Sequence, residues 1–167
     1  TVSLLDINYK GEIVSSKTYS VGINPTEIVA YDMNRDGYQD ILIANHETNS
    51  FHILYNDKKG EFDGEGIKKF SVETKPHIHT LGAGDFNGDK IPDVVIDSWE
   101  DSQLAIYYGT KDGKFKLKPT VIDVSEQPRT NLVTGDLDQD ELTDIVTPAS
   151  RNGGASVVLG KNINSSK

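Results

Sequence analysis

Apolar residues along this chain fall in short runs separated by polar, turn-forming stretches. Ile41-Leu-Ile-Ala, Val94-Val-Ile and Ile145-Val-Thr are rich in β-branched residues and predict buried strands. Turn chemistry punctuates the runs. Asn56-Asp-Lys-Lys-Gly60, Thr110-Lys-Asp-Gly113 and Asn152-Gly-Gly154 are hairpin signals. The resulting pattern repeats. Strands are expected at about 26–31, 40–45, 50–56 and 67–72, then at 77–84, 93–97, 102–108 and 115–123, then at 129–135, 144–147 and 155–159. Tyr55, Tyr107 and Tyr108 suit a third strand, where sheet faces pack.

One polar segment recurs in phase with the strands. Asp32-Met-Asn34-Arg-Asp36-Gly37-Tyr38-Gln-Asp40, Asp85-Phe-Asn87-Gly-Asp89-Lys90-Ile91-Pro-Asp93 and Asp136-Leu-Asp138-Gln-Asp140-Glu141-Leu142-Thr-Asp144 share oxygen-bearing side chains at positions one, three, five and nine. The copies start 53 and 51 residues apart, the size of one repeat unit. Alternate side chains of a tight turn can face a common point, and position seven can add a carbonyl from Tyr38, Ile91 or Leu142. Such a shell of oxygens suits a hard cation, calcium above all. Asp and Asn are also ordinary turn residues, but three or four carboxylates in one turn repel one another unless a cation offsets them. An EF-hand is excluded, because position twelve is Ile43, Ile96 or Thr147 rather than Glu, and strands follow instead of a helix. The third loop contains no glycine, which predicts weaker binding or altered geometry there.

Gly84-Asp-Phe-Asn-Gly-Asp89 through Pro92-Asp93-Val resembles the core of FG-GAP/VCBS repeats, the blades of integrin-α-type β-propellers. Gly135-Asp-Leu-Asp-Gln-Asp140 through Asp144-Ile-Val and Tyr31-Asp-Met-Asn-Arg-Asp-Gly37 through Asp40-Ile-Leu match with small departures. The resemblance implies an all-β fold of four-stranded antiparallel blades, with the acidic loop joining the first two strands of each blade and binding calcium. The metal ligands it implies are Asp32, Asn34, Asp36, Tyr38 and Asp40, then Asp85, Asn87, Asp89, Ile91 and Asp93, then Asp136, Asp138, Asp140, Leu142 and Asp144, for two to three ions. Val2-Ser-Leu-Leu-Asp-Ile is similar to Phe51-His-Ile-Leu-Tyr, and Lys10-Gly-Glu to Lys59-Gly-Glu, so the chain is expected to begin on a third strand. A partial propeller follows: a partial blade at 1–25, complete blades at 26–75 and 76–127, and a partial blade at 128–167. Propellers close with four to eight blades. The expected neighbours are therefore the remaining blades of a larger propeller, with self-association into a ring as the alternative.

Composition narrows the partners. The net charge is −9, and ten of the 26 acidic residues are loop aspartates. Three divalent ions, at two charges each, would bring it to −3. An acidic chain argues against nucleic acid, and no apolar stretch is long enough to span a membrane. No signal peptide stands at Thr1, so a mature or excised segment is expected. The absence of cysteine excludes disulfides and thiolate metal sites. The family resemblance chiefly, together with loops that make most sense where calcium is plentiful, implies a secreted or cell-surface setting.

The rim opposite the acidic loops varies from repeat to repeat, as a binding face on a repeated scaffold does. It carries His77, His79, Trp99, Arg129 and Asn131, the candidates for contacting a carbohydrate or protein ligand. His77 and His79 alternate and are expected on one side of a strand, where they could bind a transition metal, act as acid and base, or hydrogen-bond a sugar. Trp99 could stack on a sugar ring, and Arg129 could meet an acidic group. No Gly-x-Ser-x-Gly elbow, P-loop or zincin motif is present. A binding or adhesion module with structural calcium is the leading expectation. The alternative is a fragment of a propeller-based polysaccharide lyase or sugar dehydratase.

Overall fold

The computed structural model describes residues 1–62, 67–71, 77–98, 101–125, 128, 131–149 and 153–162. The side chains of 67–71 and 98 lie outside that description. The described residues form an all-β, partial propeller-like fold without helices. The strands are β1 (Val2–Ile7), β2 (Ile13–Tyr19), β3 (Pro25–Tyr31), β4 (Asp40–Asn45), β5 (Ser50–Leu54), β6 (Ile67–Ser71), β7 (Leu81–Gly84), β8 (Asp93–Ser98), β9 (Gln103–Tyr107), β10 (Thr120–Asp123), β11 (Val133–Gly135), β12 (Asp144–Ala149) and β13 (Gly154–Val158). They make four antiparallel sheets: β1–β2, β3 to β6, β7 to β10, and β11 to β13, each in chain order.

The central strands are buried on both faces, which explains their uninterrupted apolar runs. In β4, Leu42 and Ala44 face the β7–β10 sheet, packing with Leu81, Val94 and Ile96. Ile41 and Ile43 face the other way, toward Val2 and Tyr19 of the β1–β2 hairpin. In β8, Val95 turns from its neighbours to meet Leu132 and Ile145 of the last sheet. Each hydrophobic layer thus lies between two successive sheets, and no sheet has a core of its own.

The first strands of neighbouring sheets meet side by side. The Thr134 hydroxyl donates to the Ala83 carbonyl at 3.0 Å, and the Thr26 hydroxyl to the Ile78 carbonyl at 3.2 Å. Gly82 permits this approach, because a Cβ there would lie 2.6 Å from both Leu132 Cδ1 and Thr134 Cγ2. Gly82→Val should therefore lower stability by about 1–3 kcal/mol through overpacking, measured as a fall in the urea midpoint with an unchanged m-value.

The amino-terminal hairpin has the turn of a third-to-fourth-strand connection. Asn8 N–H donates to the Glu12 carbonyl at 3.0 Å, as Asp57 does to Glu61 at 2.9 Å and Thr110 to Lys114 at 2.9 Å. Most strand limits shift by one or two residues from expectation, and three shift further. The expected strand at 77–84 shortens to β7, because His77 takes a left-handed φ of 76°. The expected strand at 115–123 shortens to β10: Phe115 makes only an isolated bridge to Gly109, and Pro119 has no N–H to extend the ladder. Of the expected strand at 129–135, β11 covers Val133–Gly135, while residues 129 and 130 lie outside the described residues. Apolar side chains remain exposed at both ends of the array, Ile13 and Val14 on the hairpin and Val133 and Val157 on the last sheet.

Candidate metal loops and the opposite rim

Each acidic segment bridges the first two strands of its sheet, from β3 to β4, β7 to β8 and β11 to β12. All three adopt one backbone course, with left-handed φ at positions four and six: Arg35 (62°) and Gly37 (89°), Gly88 (77°) and Lys90 (63°), Gln139 (64°) and Glu141 (70°). Lack of glycine predicts a deviation in the third loop, yet it keeps this course by forcing two ordinary residues into the left-handed region. Such a residue costs about 1–2 kcal/mol, against about 0.5–1 kcal/mol for the extra unfolded-state freedom of glycine. Gln139→Gly and Glu141→Gly should each stabilise the fold by about 0.5–1 kcal/mol, read as a higher denaturation midpoint.

The odd positions organise the loop. The position-one carboxylate gathers backbone N–H groups from further along. Asp32 accepts from Asp36 at 3.0 Å and Gly37 at 2.8 Å, Asp85 from Gly88 at 2.7 Å and Lys90 at 2.8 Å, and Asp136 from Gln139 at 2.7 Å and Glu141 at 3.1 Å. Position five accepts from position seven: Tyr38 N–H to Asp36 at 3.0 Å, Ile91 to Asp89 at 2.8 Å, Leu142 to Asp140 at 2.9 Å.

Position nine does something the sequence reading missed. Asp40, Asp93 and Asp144 are 0%, 0% and 1% exposed. One oxygen of each accepts from position two, Met33 at 2.9 Å, Phe86 at 3.1 Å and Leu137 at 2.8 Å. The other accepts from the backbone just beyond the third strand of the same sheet, Asn56 at 2.9 Å, Gly109 at 2.8 Å and Gly160 at 2.8 Å. The partner always lies 16 residues on, and that fixed spacing was the available signal. Burial pushes Asp93 up to about 7 despite these hydrogen bonds, and Asp40 is raised for the same reason.

Residues 32–96 match the family model described as the FG-GAP-like repeat. That stretch is similar to an FG-GAP-like repeat. The matched span runs from the first residue of the first acidic loop into β8, so it contains two of the three loops and the strands between them. No curated protein matches the chain. The observed strand order places the three loops on one rim, where Asp32, Arg35, Asp85, Lys90 and Glu141 line a cleft of about 620 Å³. Neighbouring loops are tied laterally, Thr143 N–H donating to the Asp85 carbonyl at 2.9 Å and Asp85 N–H to the Thr143 hydroxyl at 3.1 Å.

In the third loop, carboxylate oxygens of Asp136, Asp138 and Asp144 lie within 4.8 Å of one another. Calcium–oxygen distances are about 2.3–2.6 Å, so oxygens on opposite sides of one ion stand about 4.6–5.2 Å apart. The spacing and the all-oxygen donor set both fit calcium. Asp136 Oδ1 accepts two N–H groups, from Gln139 and Asp140, whereas its Oδ2 accepts one, from Glu141, and so retains a lone pair for an ion.

The opposite rim assembles part of what the sequence nominated. His77 and His79 precede β7 outside any strand, so their shared face does not come from strand alternation. Their rings meet instead on His46, from the β4–β5 turn of the neighbouring sheet: centroids are 4.7 Å apart for His46–His77 and 4.5 Å for His46–His79. Beneath them Asp97 accepts from the backbone N–H of His79 and of Thr80, both at 2.9 Å. Burial raises Asp97 to about 6, and burial followed by the two neighbouring imidazoles lowers His79. Asn131 is exposed ahead of β11, its carbonyl accepting from the Thr147 hydroxyl at 3.4 Å. Trp99 and Arg129 lie outside the described residues.

Proposed function

We propose that this chain is a calcium-stabilised propeller segment that serves as an extracellular binding module. The observation that carries the calcium role is the loop course common to all three copies, with the Asp136, Asp138 and Asp144 oxygens spaced as calcium ligands are. Calcium is structural here: it joins the first-to-second-strand turn to the buried position-nine carboxylate, which in turn grips the end of the third strand. FG-GAP-like repeats are typical of extracellular proteins, which supports a secreted or cell-surface setting. No helix among the described residues is long and apolar enough to cross a membrane. The exposed apolar faces of the first and last sheets suit further blades, or a second copy of the chain, packed as the internal sheets pack.

The ligand face is the rim opposite the calcium loops, where the sequence differs from repeat to repeat. A carbohydrate or a protein loop is the class of ligand that such a polar rim, with its imidazoles and exposed Asn131, would take. Calorimetric titration should find two to three calcium ions bound per chain. A glycan array probed with the calcium-loaded protein should give hits that His79→Ala removes. Absence of calcium binding would overturn the module's structural basis. Hits that persist unchanged in His79→Ala would move the ligand away from this rim.

A further inference from the structure

Among the described residues, two cations on the acidic-loop rim have no ion-pair partner. Arg35 and Lys90 line the cleft of about 620 Å³ between the loops, and neither side chain makes a hydrogen bond there. Lys58 shows the alternative, its ammonium lying 3.5 Å from Asp36 and 6.0 Å from the centre of the Tyr38 ring. Both unpaired cations stand at left-handed positions, Arg35 where the second loop has Gly88 and Lys90 where the first has Gly37. Each loop thus accepts strain at the residue that carries a positive charge to the cleft. Tyr31, Gln39 and Glu141 also line it, and their hydroxyl, amide and carboxylate make no hydrogen bond among the described residues.

Without calcium this rim repels an anion. The first loop carries Asp32, Asp36 and Asp40 against Arg35, a formal −2, and the second carries Asp85, Asp89 and Asp93 against Lys90, again −2. One divalent ion in each loop cancels both, leaving Arg35 and Lys90 beside neutralised carboxylates. Building on the structural calcium proposed above, we propose that the calcium-loaded cleft binds an acidic sugar. Arg35 and Lys90 meet its sulfate or carboxylate, and Tyr31, Gln39 and Glu141 take its hydroxyls. A guanidinium pairs bidentately with such an oxyanion, and an ammonium adds a point charge. The volume lies within the range of small-ligand sites, about 300–1,000 Å³. Hydroxyl-binding groups in the same cleft as the cations favour a sugar over an acidic peptide. Because the ions and the sugar are coupled through charge, each strengthens the binding of the other. This site lies on the rim opposite the histidines and is separate from the ligand face there.

Calorimetric titration with sulfated galactobiose, digalacturonate and neutral galactobiose, each in EDTA and at saturating free calcium, tests this. An acidic disaccharide should bind the calcium-loaded chain at one equivalent, about tenfold or more tightly than the neutral one. Binding of one acidic disaccharide and not the other assigns the group as sulfate or carboxylate. Calcium should strengthen the binding by about 5–150-fold. Arg35→Gln and Lys90→Gln should each weaken it by about tenfold. Neither side chain is a calcium ligand, so calcium-dependent melting reports whether each variant folds with its loops filled. Should a variant not fold, the comparison of acidic with neutral disaccharide on the wild-type chain decides. Equal binding of the neutral disaccharide, equal affinity in EDTA, or undiminished affinity in the folded variants would overturn the proposal. So would tighter binding of an aspartate-rich peptide. If two to three calcium ions bind but no acidic disaccharide does, this proposal alone falls; if no calcium binds, the structural calcium falls with it.

Discussion

Asp93→Ala should destabilise the chain by about 2–5 kcal/mol even with no calcium present. The carboxylate is fully buried and satisfies two backbone donors, Phe86 N–H on the loop and Gly109 N–H beyond β9, both themselves buried. Alanine leaves both unsatisfied, and each orphaned buried donor costs about 1–3 kcal/mol. Removing a carboxylate that burial already disfavours returns part of this, which keeps the net below the sum. Asp93→Asn keeps one carbonyl oxygen but aims an amide N–H at the other donor, so it should fall between wild type and alanine. The contrast is Asp138→Ala. Asp138 is exposed, and its removal should leave calcium-free melting unchanged while weakening calcium binding at the third loop. Urea denaturation of the three variants in chelator, then in calcium, separates the clasp from the metal ligand.

Stripping calcium should lower the melting temperature by about 5–10 °C for each ion lost. An ion held at a hundred times its dissociation constant contributes about 2.7 kcal/mol. For a chain of this size each kcal/mol moves the midpoint by about 2–4 °C. With all three loops occupied the shifts add, and calcium titrated back should restore the original midpoint. Calorimetry in EDTA against excess calcium measures the effect. Asp138→Ala should shrink the difference by one ion's share. An unchanged midpoint would make the loops plain turns, whose aspartates serve only the backbone.

The fold was legible because its signals are local and repeated. Central strands such as β4 and β8 announce themselves as apolar runs, since both of their faces are buried between sheets. The hairpin turns at Asn8, Asp57 and Thr110 repeat one hydrogen-bonded geometry, which is why the first strand could be aligned with β5 and β9. Where tertiary contacts decide, the sequence said less. His77 interrupts its strand with a left-handed φ that nothing in its neighbours dictates. The meeting of His46 with His77 and His79 spans two sheets and more than thirty residues, and strand alternation could not reach it. The position-nine clasp was hidden for another reason. An aspartate in an oxygen-rich loop is naturally counted as a ligand, while its hydrogen bonds run to an N–H 16 residues away. Glycine content was a poor guide to the third loop, because Gln139 and Glu141 accept the strain that glycine would have avoided.

Crystals grown in calcium and measured at a long X-ray wavelength test the calcium assignment most directly. An anomalous difference peak enclosed by oxygens at positions one, three, five and nine of each acidic loop is the predicted result. Loops without such a peak at full calcium saturation, their carboxylates turned apart toward solvent, would contradict it.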